Sequence, residues 1–137
     1  MASRRPYTIS HTQPTKSKYG NHRVFRYGQW FDSEHEAGRF FELSLLQRNG
    51  DIKELRTQVP FELIPTQREP DIIGKRGGVK PGKCIEKSCV YYADFVYKTK
   101  TGETVVEDAK SPATRTEAYK IKRKLMLHLY GLRVHEV

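Results

Sequence analysis

The sequence predicts an α/β (α+β) domain in which one helix, three strands, a second helix and a last strand follow one another. Two segments combine a capping-box spacing at their start with a glycine just after their end, as helices do. Between them, two runs rich in Tyr, Phe and Val flank a glycine-containing turn, which is typical of paired strands. The length of 137 residues allows one domain with a modest core. We predict that this single domain spans residues 19–137.

The composition narrows the class of partner. A formal net charge of +9 at pH 7 indicates a polyanion such as DNA. The chain has no apolar run of membrane-spanning length and no secretory h-region, so we expect a cytoplasmic protein without a membrane partner. Cys84 and Cys89 lack a second cysteine pair and nearby histidines, so we expect reduced thiols rather than zinc ligands. A local disulfide is the alternative.

The N-terminal part of the chain predicts an arm followed by a short hairpin. Residues 1–18 contain four Lys and Arg residues and no acid, and they predict a flexible basic arm. This arm either clamps nucleic acid or is an unremarkable terminus. Residues 22–31 predict a hairpin that turns at a glycine. We expect Trp30 and Phe31 in the core, and the alternative is a platform on which bases stack.

The first helix is predicted over residues 33–48, where Ser33 precedes Glu36 by the capping-box spacing. At 100° per residue, Glu36 lies on the row of Phe40 and Leu43, which face the core. An acid on this row has two interpretations. It caps its own helix at the wet edge of the core, or it is a metal or water ligand in a functional site.

Residues 52–64 predict one extended strand, bent or bulged at Pro60, because proline in a strand indicates an edge or a bulge. Gln58 falls where this strand could approach acids on the following strands. It is either an accessory residue that hydrogen-bonds a ligand or a surface glutamine.

Residues 65–89 predict a basic, flexible loop inserted between two strands, because they hold many Gly, Pro, Lys and Arg residues. The spacing of Gly77 and Gly78 is not that of a P-loop. The loop either contacts the nucleic-acid backbone or has no role. The proposed contacts are Arg76, Lys80 and Lys83.

The centre of the chain predicts a hairpin from the runs 91–97 and 105–110. Side chains alternate along a strand, so Asp108 and Lys110 point the same way. In a simple register, Asp94 on the neighbouring strand faces them. Two carboxylates and one ammonium would then meet on one surface of the sheet.

This grouping suits a hard divalent cation. Mg²⁺ is usually held by one or two carboxylates, together with waters and substrate phosphate. Such an ion stabilises a pentacovalent phosphate and helps to generate hydroxide. Glu107 alternates to the other face, but a register shift of one residue would exchange its role with that of Asp108. An Asp-x-Lys sequence alone also occurs by chance.

The second helix is predicted over residues 115–130, with Thr114 and Glu117 at the capping-box spacing and Gly131 at its end. Its predicted buried stripe is Ala118, Ile121, Leu125 and Leu129. The remaining surface of this helix carries several cations and one acid, Glu117. This surface is either solvated or binds DNA phosphates. These cations are Arg115, Lys120, Lys122, Arg123 and Lys124. A last strand follows over 132–137.

The acid on one strand and the acid-x-lysine on the next, within a helix-strand-strand-strand-helix-strand order, resemble the PD-(D/E)XK nuclease superfamily. The proline usual before the first acid is replaced by Ala93. Residues 18–137 are similar to an uncharacterised phage and prophage protein family assigned to that superfamily. The similar segments are 31–37, 58–65, 92–95, 106–110 and 119–122. The basic loop is longer than that family leads us to expect.

The resemblance implies a restriction-endonuclease-like αβββαβ core, with a mixed central sheet flanked by helices. It also implies a metal-dependent DNA endonuclease of phage recombination or replication, acting in the host cytoplasm. Some members are described as Holliday-junction resolvases. Asp94, Asp108 and the main-chain carbonyl of Ala109 would bind one or two Mg²⁺ ions, which Mn²⁺ can replace. Glu36 would add a ligand, and Lys110 would position the attacking water.

Two other classes of function stay open. The first is a non-catalytic basic module that binds nucleic acid without a metal. The second is a nuclease subunit that is active only with a partner. A homodimer is a further option, because paired cuts need paired sites.

Overall fold

The computed structural model describes residues 22–137. The basic arm predicted over residues 1–18 therefore lies outside the described residues. The chain forms two compact units, of which the first ends at Ala37 and the second comprises Gly38–Val137. The described part of each unit is presented in turn.

The described residues form ten strands, most of them short, and two α-helices. The helices are α1 (Glu34–Arg48) and α2 (Glu117–Tyr130), and a 3₁₀ turn (Pro112–Thr114) precedes α2. The strands are β1 (Val24–Arg26), β2 (Gln29–Phe31), β3 (Ile52–Ile64), β4 (Gln67–Arg68), β5 (Ile72–Ile73), β6 (Val79–Lys80), β7 (Cys84–Glu86), β8 (Cys89–Thr99), β9 (Thr104–Asp108) and β10 (Val134–Glu136). Neither helix is long and apolar enough to cross a membrane.

In the first unit, β1 and β2 form the predicted antiparallel hairpin. Tyr27 and Gly28 both have left-handed φ angles, of 52° and 80°, which a two-residue turn of type I′ requires. Phe31 is buried, but Trp30 is 53% exposed, so the expectation that Trp30 is a core residue is wrong. Trp30 pairs across the ladder with Phe25, and their rings meet edge to face at 5.4 Å.

Helix α1 runs from the first unit into the second. It begins as predicted, because the Ser33 hydroxyl accepts a hydrogen bond from the N–H of Glu36. It ends at Arg48, and Gly50 adopts a left-handed φ of 79°, as a glycine after a helix commonly does.

The second unit is built on a four-stranded sheet in the order β10-β9-β8-β3. The pairs β3/β8 and β8/β9 are antiparallel and β9/β10 is parallel, so the sheet is mixed. In chain order, α1, β3, β8, β9, α2 and β10 give the predicted helix, three strands, helix and strand. The fold class is thereby confirmed.

Two hydrophobic clusters cover the sheet. One joins Leu43 of α1 to Phe95 and Tyr97, and Val105 packs against it. The other joins Val106 to residues that include Tyr119 and Met126 of α2. Because Val105 and Val106 are consecutive in β9, their side chains point to opposite faces. Each face of the sheet is therefore packed against one helix.

Helix α2 buries a different face from the predicted one. Tyr119 and Met126 are buried, whereas Ile121 is 57% exposed and Leu129 is also exposed. Ala118 is exposed as well, and Leu125 is half-buried. The predicted buried stripe is wrong. It included apolar residues only, whereas Lys122 and Arg123 are half-buried, and the aliphatic stems of such long cations can cover apolar surface.

The start of α2 also differs from the prediction. The residue that caps it is Thr116, whose side chain accepts a hydrogen bond from the N–H of Tyr119. Thr114 instead accepts a hydrogen bond from the N–H of Ser111 in the preceding 3₁₀ turn. Gly131 ends the helix with a left-handed φ of 66°, as predicted.

Strand β3 is continuous and lies at the edge of the sheet, but it is not bulged at Pro60. Pro60 pairs in register with Tyr92, since an edge strand tolerates the missing N–H. The irregularities lie elsewhere. Glu54 and Gln58 have left-handed φ angles of 57° and 50°, which are uncommon for residues other than glycine.

At Gln58, the side chains of β3 switch from one face of the sheet to the other. Leu55 packs with the α1 cluster and Val59 with the α2 cluster, although residues four apart in a regular strand share a face. On β8, Ala93 and Phe95 likewise belong to opposite clusters. The pleat is therefore interrupted where Gln58 faces Asp94, which gives this point a geometry unlike the rest of the sheet.

The segment predicted as an irregular loop is more regular than expected. Its residues form two short ladders, in which β4 pairs with β7 and β5 pairs with β6. Residues 65–88 thus extend the β3/β8 hairpin as a two-stranded ribbon, here called the β-arm. Cys84 and Cys89 are free cysteines, of which Cys84 is exposed.

Candidate active site

Two of the predicted site residues, Asp108 and Lys110, form an ion pair at the end of β9, and Asp94 on β8 reaches the backbone between them. The β8/β9 ladder ends at Phe95 opposite Glu107, so Asp94 follows on the side of Asp108. The Oδ2 atom of Asp94 accepts a hydrogen bond of 2.8 Å from the N–H of Ala109. Asp94 is therefore hydrogen-bonded to the backbone N–H of Ala109, the residue between Asp108 and Lys110.

Asp108 is almost fully buried, with 2% exposure. Its Oδ2 atom accepts a hydrogen bond of 2.7 Å from the Tyr91 hydroxyl. Its Oδ1 atom lies 3.2 Å from Lys110 Nζ as an ion pair, but without hydrogen-bond geometry. Among the described residues, this Oδ1 has no hydrogen-bond partner. A buried carboxylate oxygen in this state can accept a cation or a water.

Two tyrosines support the acid and the lysine. Burial raises the pKa of Tyr91, and the negative charge of Asp108 raises it further, so its hydroxyl remains a donor to Asp108. Lys110 Nζ lies 4.7 Å from the centre of the Tyr119 ring, a distance at which an ammonium is attracted to the ring face. Sequence reasoning missed both tyrosines. A signal was present for Tyr91, since a buried tyrosine usually needs a partner for its hydroxyl.

An open pocket of about 270 Å³ gives access to Asp108 and Lys110. Its walls come from the start of β8 and the start of α2. The other lining residues are Tyr91, Tyr92, Thr116, Ala118, Tyr119 and Lys122. A ligand in this pocket could reach the carboxylate and the ammonium together.

Gln58 holds the Asp94 carboxylate in place. Its side-chain amide donates a hydrogen bond of 3.0 Å from Nε2 to Asp94 Oδ1, so Asp94 is restrained by both Gln58 and Ala109. The backbone of Gln58 is left-handed, a conformation that costs a residue with a Cβ atom about 1–2 kcal/mol. Strain of this kind is often found at functional sites.

This strain predicts an unusual order of stability for two variants. Gln58→Ala and Gln58→Gly both lose the hydrogen bond to Asp94, but only glycine relieves the left-handed backbone. We expect the glycine variant to be the more stable, by up to about 1 kcal/mol. Urea unfolding of the two variants measures the difference. The usual order for a strand, with alanine the more stable, would show that the strain is absent.

Glu36 caps its own helix. Its side chain is buried, and Oε2 accepts a hydrogen bond of 2.8 Å from the N–H of Asp32. The geometry of the first unit is therefore that of the capping interpretation, but Glu36 is buried and does not lie at the wet edge that this interpretation expected. The role of Glu36 as a metal or water ligand stays a prediction.

Glu107 lies on the opposite face of the sheet from Asp108. Arg39 binds both of its carboxylate oxygens, at 2.9 Å through Nε and 2.7 Å through Nη2. The Tyr97 hydroxyl donates to Oε1 at 2.6 Å. Burial, followed by this hydrogen bond, raises the pKa of Tyr97 to about 12. Glu107 is thus part of a buried structural ion pair.

Most of the α2 cations predicted to bind DNA have partners within the protein. Arg115 and Arg123 both bind Glu136, each at 2.7 Å. Lys120 pairs with Glu117, and Lys122 donates to the carbonyl of Val90. Lys124 is exposed. Glu136, which sequence reasoning did not single out, therefore partly neutralises this face.

The pKa of Glu136 leads to a prediction about acid stability. Desolvation acts to raise it, but hydrogen bonds from Arg123 and Tyr119 and the charge of Arg115 outweigh this and lower it below 4.5. The unfolded chain therefore binds this proton more readily than the folded one, and stability falls as the pH drops through and below 4.5. We expect Glu136→Gln to flatten the acid limb of a plot of Tm against pH. An unchanged acid limb would contradict this role.

The cations predicted in the loop lie on the β-arm and are exposed. Arg76 is in the turn between β5 and β6, Lys80 ends β6, and Lys83 lies between β6 and β7. They remain accessible to a polyanion.

The donor set at Asp94 and Asp108 is small. Within residues 22–137, no group of three or more His, Cys, Asp and Glu side chains is arranged to hold a metal ion. Mg²⁺ nevertheless needs only one or two carboxylates, since waters and substrate phosphate complete its octahedron. The buried Oδ1 of Asp108, which has an ion-pair partner but no hydrogen-bond partner among the described residues, fits such an ion.

A model of a protein family, described as "Protein of unknown function (DUF1064)", matches residues 16–136. No curated protein and no solved structure matches the chain.

Proposed function

The chain belongs to this family of unknown function, and from its site we propose that it is a Mg²⁺-dependent DNA endonuclease. The observation that carries the proposal is the hydrogen bond from the Ala109 N–H to Asp94. It joins one acid to the peptide between a second acid, Asp108, and Lys110. Two carboxylates can hold a divalent ion, and an ammonium can orient water or stabilise charge on the phosphate, so the three groups suit metal-assisted phosphodiester hydrolysis.

The order of elements supports the same reaction. The first acid lies within β8, and the acid-x-lysine spans the end of β9, between α1 and α2. This is the arrangement of the PD-(D/E)XK nucleases that the sequence resembles. We propose membership of that superfamily, with Ala93 in place of its usual proline.

Asp94, Asp108 and the main-chain carbonyl of Ala109 would hold the Mg²⁺ or Mn²⁺ ion, with Glu36 as a proposed further ligand. When bound, the ion supplies positive charge to the phosphate and increases the acidity of water. Gln58 and the Ala109 N–H keep the Asp94 carboxylate in place. The Tyr91 hydroxyl does the same for Asp108.

Lys110 has the clearest catalytic role among the residues of the chain. Its ammonium is held between Asp108 and the Tyr119 ring and faces the open pocket. There it would orient the attacking water and stabilise the charge that develops on the phosphate. The water oxygen bonds to phosphorus and the bond to the 3′ oxygen breaks, which leaves a 5′-phosphate and a 3′-hydroxyl.

DNA is the proposed substrate because the net charge is +9 and exposed cations lie on both the β-arm and α2. Such contacts hold the DNA backbone without reading sequence. A role in phage recombination or replication, action in the host cytoplasm and a homodimer are parts of the same proposal.

The test is incubation of the purified chain with linear, nicked and four-way-branched DNA, with Mg²⁺, with Mn²⁺ and with EDTA. We expect cleavage only with a divalent ion, and products with 5′-phosphate ends. Metal-independent cleavage would contradict the proposed chemistry. Absence of cleavage on all substrates would remove the proposal for the chain alone.

A second candidate is a non-catalytic module that binds nucleic acid. The observation that favours it is the ion pair between Asp108 and Lys110, which already neutralises the buried acid without a metal. This candidate predicts salt-sensitive DNA binding that does not change with Mg²⁺. A subunit active only with a partner would bind DNA in the same way and gain cleavage when the partner is added.

A further inference from the structure

The tip of the β-arm is an ordered hairpin end. Strands Ile72–Ile73 and Val79–Lys80 pair in register, and two hydrogen bonds close the turn between them. The Gly74 N–H donates to the Gly78 carbonyl at 2.8 Å, and the Gly77 N–H donates to the Gly74 carbonyl at 3.0 Å. The tip therefore presents its side chains from a defined backbone.

Three large aliphatic residues at this tip are open to solvent. Ile72, Ile73 and Val79 are 61%, 75% and 63% exposed. Ile73 and Val79 pair directly across the ladder, so they lie side by side on one face. A cluster of exposed apolar side chains commonly indicates an interaction surface.

The charge at the tip indicates which kind of partner this surface binds. From Asp71 to Lys80 the chain contains three cations, Lys75, Arg76 and Lys80, and one acid, Asp71. An apolar pair next to an excess of cations suits a polyanion that also offers apolar surface. Nucleic acid has both, in its phosphates and in the faces of its bases.

The stem of the β-arm gives the tip a fixed support. The N–H of Glu69 donates to the carbonyl of Lys83 at 2.8 Å. A Cβ atom on Gly82 would lie 2.0 Å from the Glu69 carbonyl oxygen, so only glycine allows the two strands to approach this closely. The close approach and the hydrogen bond hold the two strands of the stem together below the tip.

We propose that the β-arm tip recognises duplex DNA in which the base stack is interrupted by a nick or a gap. Ile73 and Val79 would pack on the open face of the terminal base pair, while Lys75 and Arg76 bind flanking phosphates. This inference rests on the proposed function, because it assumes a DNA substrate. It adds a preference that the cleavage chemistry does not require.

Intact duplex offers the tip a poorer partner. The two strands of the ribbon are about 4.8 Å apart before side chains are counted, and an intact minor groove is only about 6 Å wide. The major groove admits a ribbon but presents base edges rather than base faces. Opening a stacked step costs a few kcal/mol, and an interrupted stack avoids that cost.

The distance along the chain permits recognition away from the cut. Ile72 follows Gln58, the neighbour of Asp94, by 14 residues, which spans at most about 50 Å in an extended strand. This upper limit exceeds one helical turn of DNA, about 34 Å. The interruption that the tip recognises can therefore lie as far as about one helical turn from the cleaved phosphate.

The experiment compares binding of the full chain to an intact duplex and to the same duplex with a one-nucleotide gap, in EDTA to prevent cleavage. We expect the gapped duplex to bind about tenfold more tightly. In ¹³C-methyl spectra, the Ile73 methyl signal is expected to shift on the gapped duplex only, because of the ring current of the base.

Two double variants separate the roles at the tip. Ile73→Ser with Val79→Ser is expected to abolish the preference for the gap and leave the affinity for intact duplex unchanged. The matched control, Lys75→Ala with Arg76→Ala, is expected to weaken both duplexes equally and keep the preference. All four positions are exposed, and protection of the Glu69 amide reports whether the stem remains folded.

The outcomes are distinguishable. A wild-type chain that binds both duplexes equally, or a serine variant that keeps the preference, overturns the inference and leaves the proposed function standing. No binding to either duplex overturns the inference, whereas the proposed function is removed only by absence of cleavage in the metal-dependent assay. A serine variant that loses self-association while keeping its preference would assign the tip to contact between copies of the chain, and would also overturn the inference.

Discussion

Replacing Asp108 with asparagine is expected to reduce Mg²⁺-dependent DNA cleavage by about 10³-fold. Asparagine has nearly the same shape and can still accept the hydrogen bond from Tyr91. It cannot carry the negative charge that holds a divalent ion and pairs with Lys110. Cleavage rates of the purified variant and the parent on the same DNA, at saturating Mg²⁺, measure the effect.

Glu107→Gln is the matched control, because Glu107 is the adjacent acid in β9 and faces the other side of the sheet. We expect this variant to lose stability but to retain most of its cleavage at a temperature where it is folded. DNA affinity in EDTA should be nearly the same for both variants. Loss of cleavage in Glu107→Gln with full activity in Asp108→Asn would show that the functional register is shifted by one residue.

Replacing Arg39 with methionine is expected to lower the free energy of unfolding by about 3–5 kcal/mol. Arg39 is 26% exposed and its partner Glu107 only 4% exposed at their side chains. Methionine fills the space of the arginine stem but leaves the buried carboxylate without its counter-charge. Denaturant unfolding followed by circular dichroism measures the loss.

The control for this prediction removes the whole polar group. In a triple variant, Arg39→Met, Glu107→Met and Tyr97→Phe, no buried charge or hydroxyl is left unpaired, because Glu42, the other partner of Arg39, is exposed to solvent. We expect it to recover most of the stability, since an apolar cluster of similar volume can replace a buried ion pair. A single Arg39→Met variant as stable as the parent would mean that Glu107 is solvated.

The order of helices and strands could be predicted because each signal is local. The cap at Ser33, the glycines at positions 50 and 131, and the strand-forming residues of β8 and β9 all act over a few residues. The common direction of Asp108 and Lys110 followed from a local rule, because alternation along a strand needs no tertiary information. The place of Asp94 depended on an assumed pairing register between two strands.

The predictions that failed concern features that depend on contacts between distant segments of the chain. The buried face of α2 is defined by Tyr119 and by half-buried Lys122 and Arg123, and a count of apolar residues cannot detect buried cation stems. The strands of the β-arm are two or three residues long, too short for a periodic pattern. The partners of Tyr91 and Glu136 come from other elements, so their roles appear only in three dimensions.

The irregularities of β3 also affect how the sheet meets other chains. An outer strand of 13 residues would ordinarily present a template on which a foreign strand could add. Here Pro60 has no N–H to offer, and the left-handed residues Glu54 and Gln58 turn the peptide groups out of line. The left-handed backbone at Gln58, whose side-chain amide binds Asp94, therefore also disfavours fibrillar aggregation through this edge strand.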